Sequence, residues 1–183
     1  MLIDFDTVIY ASLILYILYA IMTYLRRKRN HEKVSKLHLF LIFIAWMYFT
    51  CLINFTLFPV QLPPIAVKTS VSELVQFNPI PSFFPIKQIN LYHLVGNICL
   101  FIPFIPLMSI LRKTKITIKY ATVFSLLLSL SIEFLQFLED IIGLCSYFFR
   151  QVDITDVLMN VFGGVIGCII INIFLYTQSK KQP

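Results

Sequence analysis

Five long apolar runs constrain the fold of this chain more than any other feature. Each is about as long as the roughly 20 residues that a helix needs to cross the hydrocarbon core of a bilayer. Hydrophobic residues make up 58% of the 183 residues and charged residues only 13%, which excludes an ordinary soluble domain. The runs cover approximately residues 7–25, 37–58, 91–111, 118–138 and 154–176.

An all-α fold follows from the lipid surroundings of these runs. Lipid offers the backbone no hydrogen-bond partners, so a spanning segment must satisfy its own peptide groups. None of the runs alternates polar and apolar residues as a membrane barrel strand does. We therefore expect a polytopic membrane helix bundle of about five transmembrane helices. Pro103 and Pro106 are expected to kink the third helix.

The basic residues predict the orientation of the helices. Twelve of the 15 Lys and Arg residues fall in connections 26–36 and 112–119 or in the tail, all on one side of the predicted bundle. The positive-inside rule puts that side in the cytoplasm, so we expect the N-terminus outside and the C-terminus cytoplasmic. The net charge of +6 then needs no nucleic-acid partner, although the basic residues at 26–29 are also able to contact anionic lipid.

The long outward connection is rich in proline and in large apolar residues. Residues 59–90 contain Pro59, Pro63 and Pro64, which interrupt any continuous helix. Their Phe and Ile content is too high for a solvated linker, so the segment is expected to lie at the membrane interface. Within it, residues 69–77 are expected to form a short amphipathic helix.

The fifth run begins with polar residues that share one helix face. Asp153, Asp156 and Asn160 are spaced by three and four residues, which places them in one stripe at about 3.6 residues per turn. Ionisable groups at the mouth of a membrane helix are costly unless they are paired or line a wet cavity. This stripe is therefore the first place to look for a function.

Two further helices carry polar residues at a comparable depth. His93 and Asn97 lie one turn apart at the outer end of the third run, and Glu133 and Gln136 lie near the outer end of the fourth. Arg150 precedes the fifth run and is the nearest permanent cation. If the three helices touch, these residues and the Asp153 stripe form one polar pocket that opens to the outside.

Three carboxylates in one pocket require compensation, because like charges repel strongly where the dielectric is low. We expect Arg150 to pair with Asp153 or Glu133. A divalent metal ion held by Glu133, Asp153 and Asp156 is another way to neutralise them, and the sequence does not separate the two. Amide hydrogen bonds are expected from Asn97, Gln136 and Asn160.

Structural roles account for single polar or small residues in membrane helices. An isolated Asn or Gln usually holds helices together, whereas a cluster of this size favours a ligand-binding or catalytic pocket. Gly163 and Gly167 form a small-xxx-small pattern, which predicts close packing of the fifth helix. These glycines are not expected to form a phosphate-binding loop, because no predicted strand precedes them and no Lys-Ser or Lys-Thr pair follows.

Together these segments resemble the VanZ-like family of bacterial integral membrane proteins. The matching pieces are residues 97–104 (Asn-Ile-Cys-Leu-Phe-Ile-Pro-Phe) and residues 132–136 (Ile-Glu-Phe-Leu-Gln). The family usually has Gly soon after the proline of the first piece, where this chain has Ile105 and Pro106. The third and most specific piece is the series Arg150, Asp153, Asp156, Asn160, Gly163, Gly164 and Gly167.

The resemblance implies a role at the bacterial cell membrane. The founding member of the family is associated with resistance to teicoplanin-type lipoglycopeptides and gives little protection against vancomycin. On this basis residues 37–176 form a VanZ-like membrane domain. Residues 1–36 provide a first transmembrane helix and a basic cytoplasmic loop, and residues 177–183 form a cytoplasmic tail.

Three functions fit the predicted pocket, and the sequence leaves open whether the protein is an enzyme. The first is a non-enzymatic envelope protein that binds a membrane lipid or a lipid-tailed molecule, since teicoplanin differs from vancomycin by an acyl chain. The second is a membrane enzyme acting on a lipid-linked phosphate or cell-wall precursor, with Glu133, Asp153 and Asp156 as catalytic candidates and a divalent metal as its one cofactor. The third is a small transporter or flippase that uses Glu133 and works as a homo-oligomer.

Overall fold

The computed structural model describes residues 2–30, 35–64, 75–76, 78, 91–144 and 152–180. Within these ranges five helical spans are long and apolar enough to cross a membrane, which confirms the predicted all-α, multi-pass architecture. The chain divides into two compact units, Met1–Pro63 and Pro64–Pro183. The division predicted at residue 36 and the orientation of the helices stay predictions.

The first unit consists of two membrane-length helices and a two-residue strand at each end. The strands are antiparallel, with Leu2 opposite Gln61. Asp4 caps the first helix by accepting from the Thr7 backbone N–H at 3.1 Å. The elements in chain order are β1 (Leu2–Ile3), α1 (Phe5–Arg29), α2 (Lys36–Leu57) and β2 (Val60–Gln61).

A polar seam joins α1 to α2 in the middle of their apolar surfaces. The hydroxyls of Ser12 and Thr50 are 2.6 Å apart, and the Trp46 indole N–H donates to the Ser12 hydroxyl at 2.9 Å. The Tyr16 hydroxyl donates to the Leu39 carbonyl oxygen at 3.0 Å. Hydrogen bonds of this kind hold membrane helices together where no hydrophobic effect operates between them.

The second unit contains the rest of the helices. The predicted third span is confirmed in position, but it is two helices separated by a turn at Ile102 and Pro103. Proline has no N–H to continue the helical ladder, so the break falls where the sequence predicts a kink. The elements in chain order are β3 (Val75–Gln76), α3 (Leu91–Phe101), α4 (Phe104–Arg112), α5 (Ile118–Ile142), β4 (Val152–Asp153) and α6 (Ile154–Ser179).

Helix α6 packs against α3, α4 and α5 and organises the core of the second unit. Its glycines make this possible, because a Cβ at Gly163 would overlap the Ile98 carbonyl oxygen and one at Gly167 would overlap that of Ile102. A Cβ at Gly164 would overlap the Ser125 hydroxyl on α5. The predicted close packing at the small-xxx-small pattern is confirmed.

A short parallel strand pair lies directly before α6. Val75 is opposite Val152, and Gln76 is opposite Asp153. The amphipathic helix predicted over residues 69–77 is therefore wrong at Val75 and Gln76, because their extended backbone pairs with that of β4. The other residues of that predicted helix lie outside the described ranges.

Candidate functional site

Asp153 begins the site as the N-terminal cap of α6. Its side chain accepts a hydrogen bond of 2.8 Å from the Thr155 backbone N–H, which satisfies one of the free donors at the helix start. The Asp153 backbone N–H in turn donates to the carboxyl group of Glu133 on α5. One residue thus caps α6 and joins it to α5.

Asp156, one turn further along α6, is held by α3. Its Oδ1 accepts from the Asn97 amide at 2.7 Å, and its Oδ2 accepts from His93 Nε2 at 3.1 Å. His93 and Asn97 are four residues apart on α3, so one face of that helix presents both donors to one carboxylate. The His93 side chain is 53% exposed and that of Asp156 15% exposed, so the pair lies at the rim of the site.

Glu133 lies deeper than the other acids, with only 5% of its surface exposed. Its Oε2 has no hydrogen-bond partner among the residues that the structure describes. Asp156, Asp153 and His93 are close enough to interact electrostatically with Glu133, which places it in the same environment as the rim. We call His93, Asn97, Glu133, Asp153 and Asp156 the polar cluster.

Asn160 lies one turn below Asp156 and faces α5. Its amide nitrogen donates to the Ser129 hydroxyl at 2.9 Å, and both side chains are buried. The prediction that Asn160 donates an amide hydrogen bond is confirmed, but its acceptor is a hydroxyl and not a carboxylate. The side-chain oxygen Oδ1 of Asn160 has no hydrogen-bond partner within the described part of the chain.

A family model described as VanZ/LLP1 matches residues 39–175. The chain belongs to the VanZ/LLP1 family. The match includes every residue of the polar cluster and leaves α1 outside, as the resemblance implies. Neither the curated proteins nor the solved structures provide a further match. With its five membrane-length helical spans, the chain is a VanZ-like membrane protein.

Gln136 and Arg150 are the two remaining predicted members of the site. Gln136 is half-buried on α5, three residues beyond Glu133. Arg150 lies outside the described ranges, so its pairing with Asp153 or Glu133 stays a prediction. The participation of both residues in ligand binding also stays a prediction.

Two of the three carboxylates predicted to hold a divalent metal ion already accept hydrogen bonds. Asp153 caps a helix and Asp156 accepts two hydrogen bonds, so a metal ion would compete with three donors. Among the described residues no group of three or more His, Cys, Asp or Glu side chains is arranged to hold a metal ion. A metal at Glu133, Asp153 and Asp156 stays a prediction that the geometry does not favour.

Small polar residues on α5 lie directly below Glu133 at the contact with α6, and they are not among the residues predicted from the sequence. Ser125 and Ser129 are buried, and they precede Glu133 by eight and four residues. All three therefore share one helix face, which packs on α6 at Gly164 and Asn160. The four-residue spacing of Ser125, Ser129 and Glu133 is the feature of the sequence that places the two serines on the same helix face as Glu133.

Proposed function

We propose that this VanZ/LLP1 protein works at the outer face of the bacterial cell membrane. There the polar cluster binds a membrane lipid or a lipid-tailed molecule, and binding alters susceptibility to lipoglycopeptides such as teicoplanin. The observation that carries the proposal is the buried Glu133 carboxyl group, whose Oε2 lacks a partner among the described residues.

The contrast with a purely structural contact supports a ligand at Glu133. The hydrogen bond between Asn160 and Ser129 is the kind of contact that joins membrane helices, at about 0.6 kcal/mol. A carboxyl group in an apolar environment is costly to bury without full hydrogen bonding. Helix packing alone does not compensate for that cost, whereas a hydrogen-bonding ligand does.

The depth of the cluster matches a ligand with a polar head and an apolar tail. His93 is the third residue of α3, and Asp156 is the third residue of α6. Glu133 is nine residues from the end of α5, or about 14 Å at 1.5 Å per residue. A molecule in the outer leaflet would place its polar part at this level and its acyl chain along the helices.

A second function is favoured by the geometry at the rim. Asp156 orients His93 Nε2, and Asn97 holds Asp156, which is the arrangement by which proteins prepare a histidine to act as a general base. In a membrane enzyme acting on a lipid-linked phosphate or cell-wall precursor, His93 would take a proton from water or from a substrate hydroxyl. The two functions differ in whether a covalent bond in the ligand is broken.

Antibiotic susceptibility in a sensitive Gram-positive host tests the proposal. The host would express wild type, Glu133→Gln, Asp156→Asn or the control Ser131→Ala at matched membrane abundance. Ser131 is exposed on α5, and its hydroxyl bonds to the Leu127 carbonyl oxygen. The proposal predicts protection against teicoplanin, little against vancomycin, and loss of protection in the two acid variants only. Equal protection by all four proteins would contradict it.

His93→Gln separates the two candidate functions. Glutamine keeps a hydrogen-bond donor toward Asp156 but cannot exchange a proton near neutral pH. A binding protein would retain most of its protection with this variant. An enzyme that uses His93 as a base would lose nearly all of it, by about the hundredfold or more that general-base catalysis supplies.

A further inference from the structure

A groove lies beside the last two turns of α1, far along the chain from the polar cluster. Its volume is about 340 Å³, and its lining residues are Tyr19, Thr23, Arg26, Arg27 and Asn30. Their spacing of three and four residues places all five on one face of the helix and its C-terminal cap. Tyr19 stacks on Trp46 of α2, with ring centroids 6.4 Å apart, which fixes one wall.

The groove lining is rich in hydrogen-bond donors and has no carboxylate. Two guanidinium groups contribute five N–H donors each, and hydroxyl and amide groups add more. Within the described ranges, neither Arg26 nor Arg27 forms an ion pair with an acidic side chain. Guanidinium groups pair well with phosphate oxygens, so the groove is complementary to a phosphate group.

The position of the groove corresponds to the phosphate layer of a membrane. Arg26 lies 21 residues after the start of α1 and Arg27 one residue further, which is about 32 Å at 1.5 Å per residue and close to the thickness of the hydrocarbon core. Arg27, Thr23 and Tyr19 are only partly exposed, so the groove descends from the charged surface along the apolar helix. Its volume accommodates a headgroup together with the upper part of an acyl chain.

Topology and the helix dipole both favour basic residues at this end of α1, but neither requires a groove. Lys28 and Arg29 belong to the same last turn and satisfy both the topology and the helix dipole, yet they do not line the groove.

We propose that the groove is a binding site for a phosphate group, supplied by the headgroup of an anionic phospholipid. The five lining residues lie outside the family match at residues 39–175 and outside the polar cluster, so this proposal does not depend on the proposed function.

Fluorescence of Trp46, the single tryptophan, tests the proposal in the full-length protein. The protein would be reconstituted in phosphatidylcholine vesicles in which either phosphatidylcholine or phosphatidylglycerol carries brominated acyl chains. A phosphatidylglycerol bound in the groove would place its chain near Trp46, so quenching by brominated phosphatidylglycerol would exceed that by brominated phosphatidylcholine. The ratio of the two gives the preference for anionic lipid.

Two double variants with the same change of charge separate the groove from general electrostatics. Arg26→Gln with Arg27→Gln removes two cations from the groove, and Lys28→Gln with Arg29→Gln removes two from beside it. We expect the first to lower the preference about tenfold or more, because both guanidinium groups that would donate charged hydrogen bonds to the phosphate are lost. The second should keep most of the preference, and equal losses in both would overturn the proposal.

Two additional arms cover the source of the phosphate and the folding of the variants. Thermal unfolding with inorganic phosphate, against chloride at equal ionic strength, detects binding of a soluble anion. If inorganic phosphate stabilises the wild type and only the variant with Arg26→Gln and Arg27→Gln loses this stabilisation, the groove is a phosphate site that also accepts a soluble anion.

If the variant with Arg26→Gln and Arg27→Gln does not fold, Thr23→Val, which keeps every charge, should still lower the preference for phosphatidylglycerol. An unchanged preference with Thr23→Val would then overturn the proposal.

Discussion

Asn97 donates a hydrogen bond of 2.7 Å to Asp156 and ties the start of α3 to the start of α6. With His93 on the other oxygen, both oxygens of Asp156 are occupied by donors from one neighbouring helix. Glu133 differs, because its Oε2 has no such donor among the described residues. In the proposed function Asp156 therefore positions the site and Glu133 contacts the ligand.

The glycine contacts of α6 predict a clear difference between three alanine variants. Gly163→Ala and Gly167→Ala each force a Cβ into a backbone carbonyl oxygen of the α3 segment, and we expect each to destabilise the protein by about 1 to 3 kcal/mol. Gly96→Ala is the control, because a Cβ there meets nothing within 4 Å. Thermal unfolding in detergent measures the difference, and similar midpoints for all three would show that α6 packs elsewhere.

Asp153 is predicted to stabilise the protein through its side-chain oxygen, which caps α6. Asp153→Ala removes the acceptor for the Thr155 N–H and should lower the free energy of unfolding by about 0.5 to 2 kcal/mol. Asp153→Asn keeps a capping oxygen without the charge and should unfold close to wild type. An Asn variant as unstable as the Ala variant would mean that the charge, and not the cap, stabilises the helix.

The contact between Asn160 and Ser129 predicts a small pairwise coupling. A double-mutant cycle with Asn160→Ala and Ser129→Ala, followed by unfolding in detergent, should give about 0.6 kcal/mol and no more than about 1.7 kcal/mol. Teicoplanin protection should persist in Ser129→Ala, because Ser129 lies outside the polar cluster. Additive effects of the two substitutions would show that the hydrogen bond does not form in the membrane.

The distribution of charge predicts which residues an impermeant reagent reaches. In a background without the four native cysteines, Asp4→Cys should react with a membrane-impermeant maleimide in intact cells. Lys180→Cys should react only after the membrane is permeabilised. The opposite pattern would invert the topology and place the polar cluster on the cytoplasmic side.

Much of this fold was predictable because long apolar runs in a sequence identify membrane helices. The predicted starts of the last three spans coincide with the observed starts of α3, α5 and α6, and the break at Pro103 falls where proline removes a donor. The pairing of Val75 with Val152 was not predictable. Two-residue strands carry no periodicity, and their partners are far apart in the sequence.

The site was predicted in part for a similar reason. Helical spacing correctly grouped His93 with Asn97, and it placed Asp156 on the face that receives both. It did not reveal that Asn160 turns to Ser129, because sequence spacing gives the face of a helix but not the neighbour that it meets. That choice depends on how α5 and α6 pack at Gly164.

Direct binding to the purified protein tests the central claim most directly. Teicoplanin and vancomycin would be titrated onto nanodiscs that contain wild type, Glu133→Gln or Ser131→Ala, with empty nanodiscs subtracted. The account predicts binding of teicoplanin to wild type and to Ser131→Ala, none of vancomycin, and affinity at least about tenfold weaker for Glu133→Gln, as for the loss of a buried hydrogen bond to the ligand. Equal binding by Glu133→Gln, or no binding above that of empty nanodiscs, would contradict it.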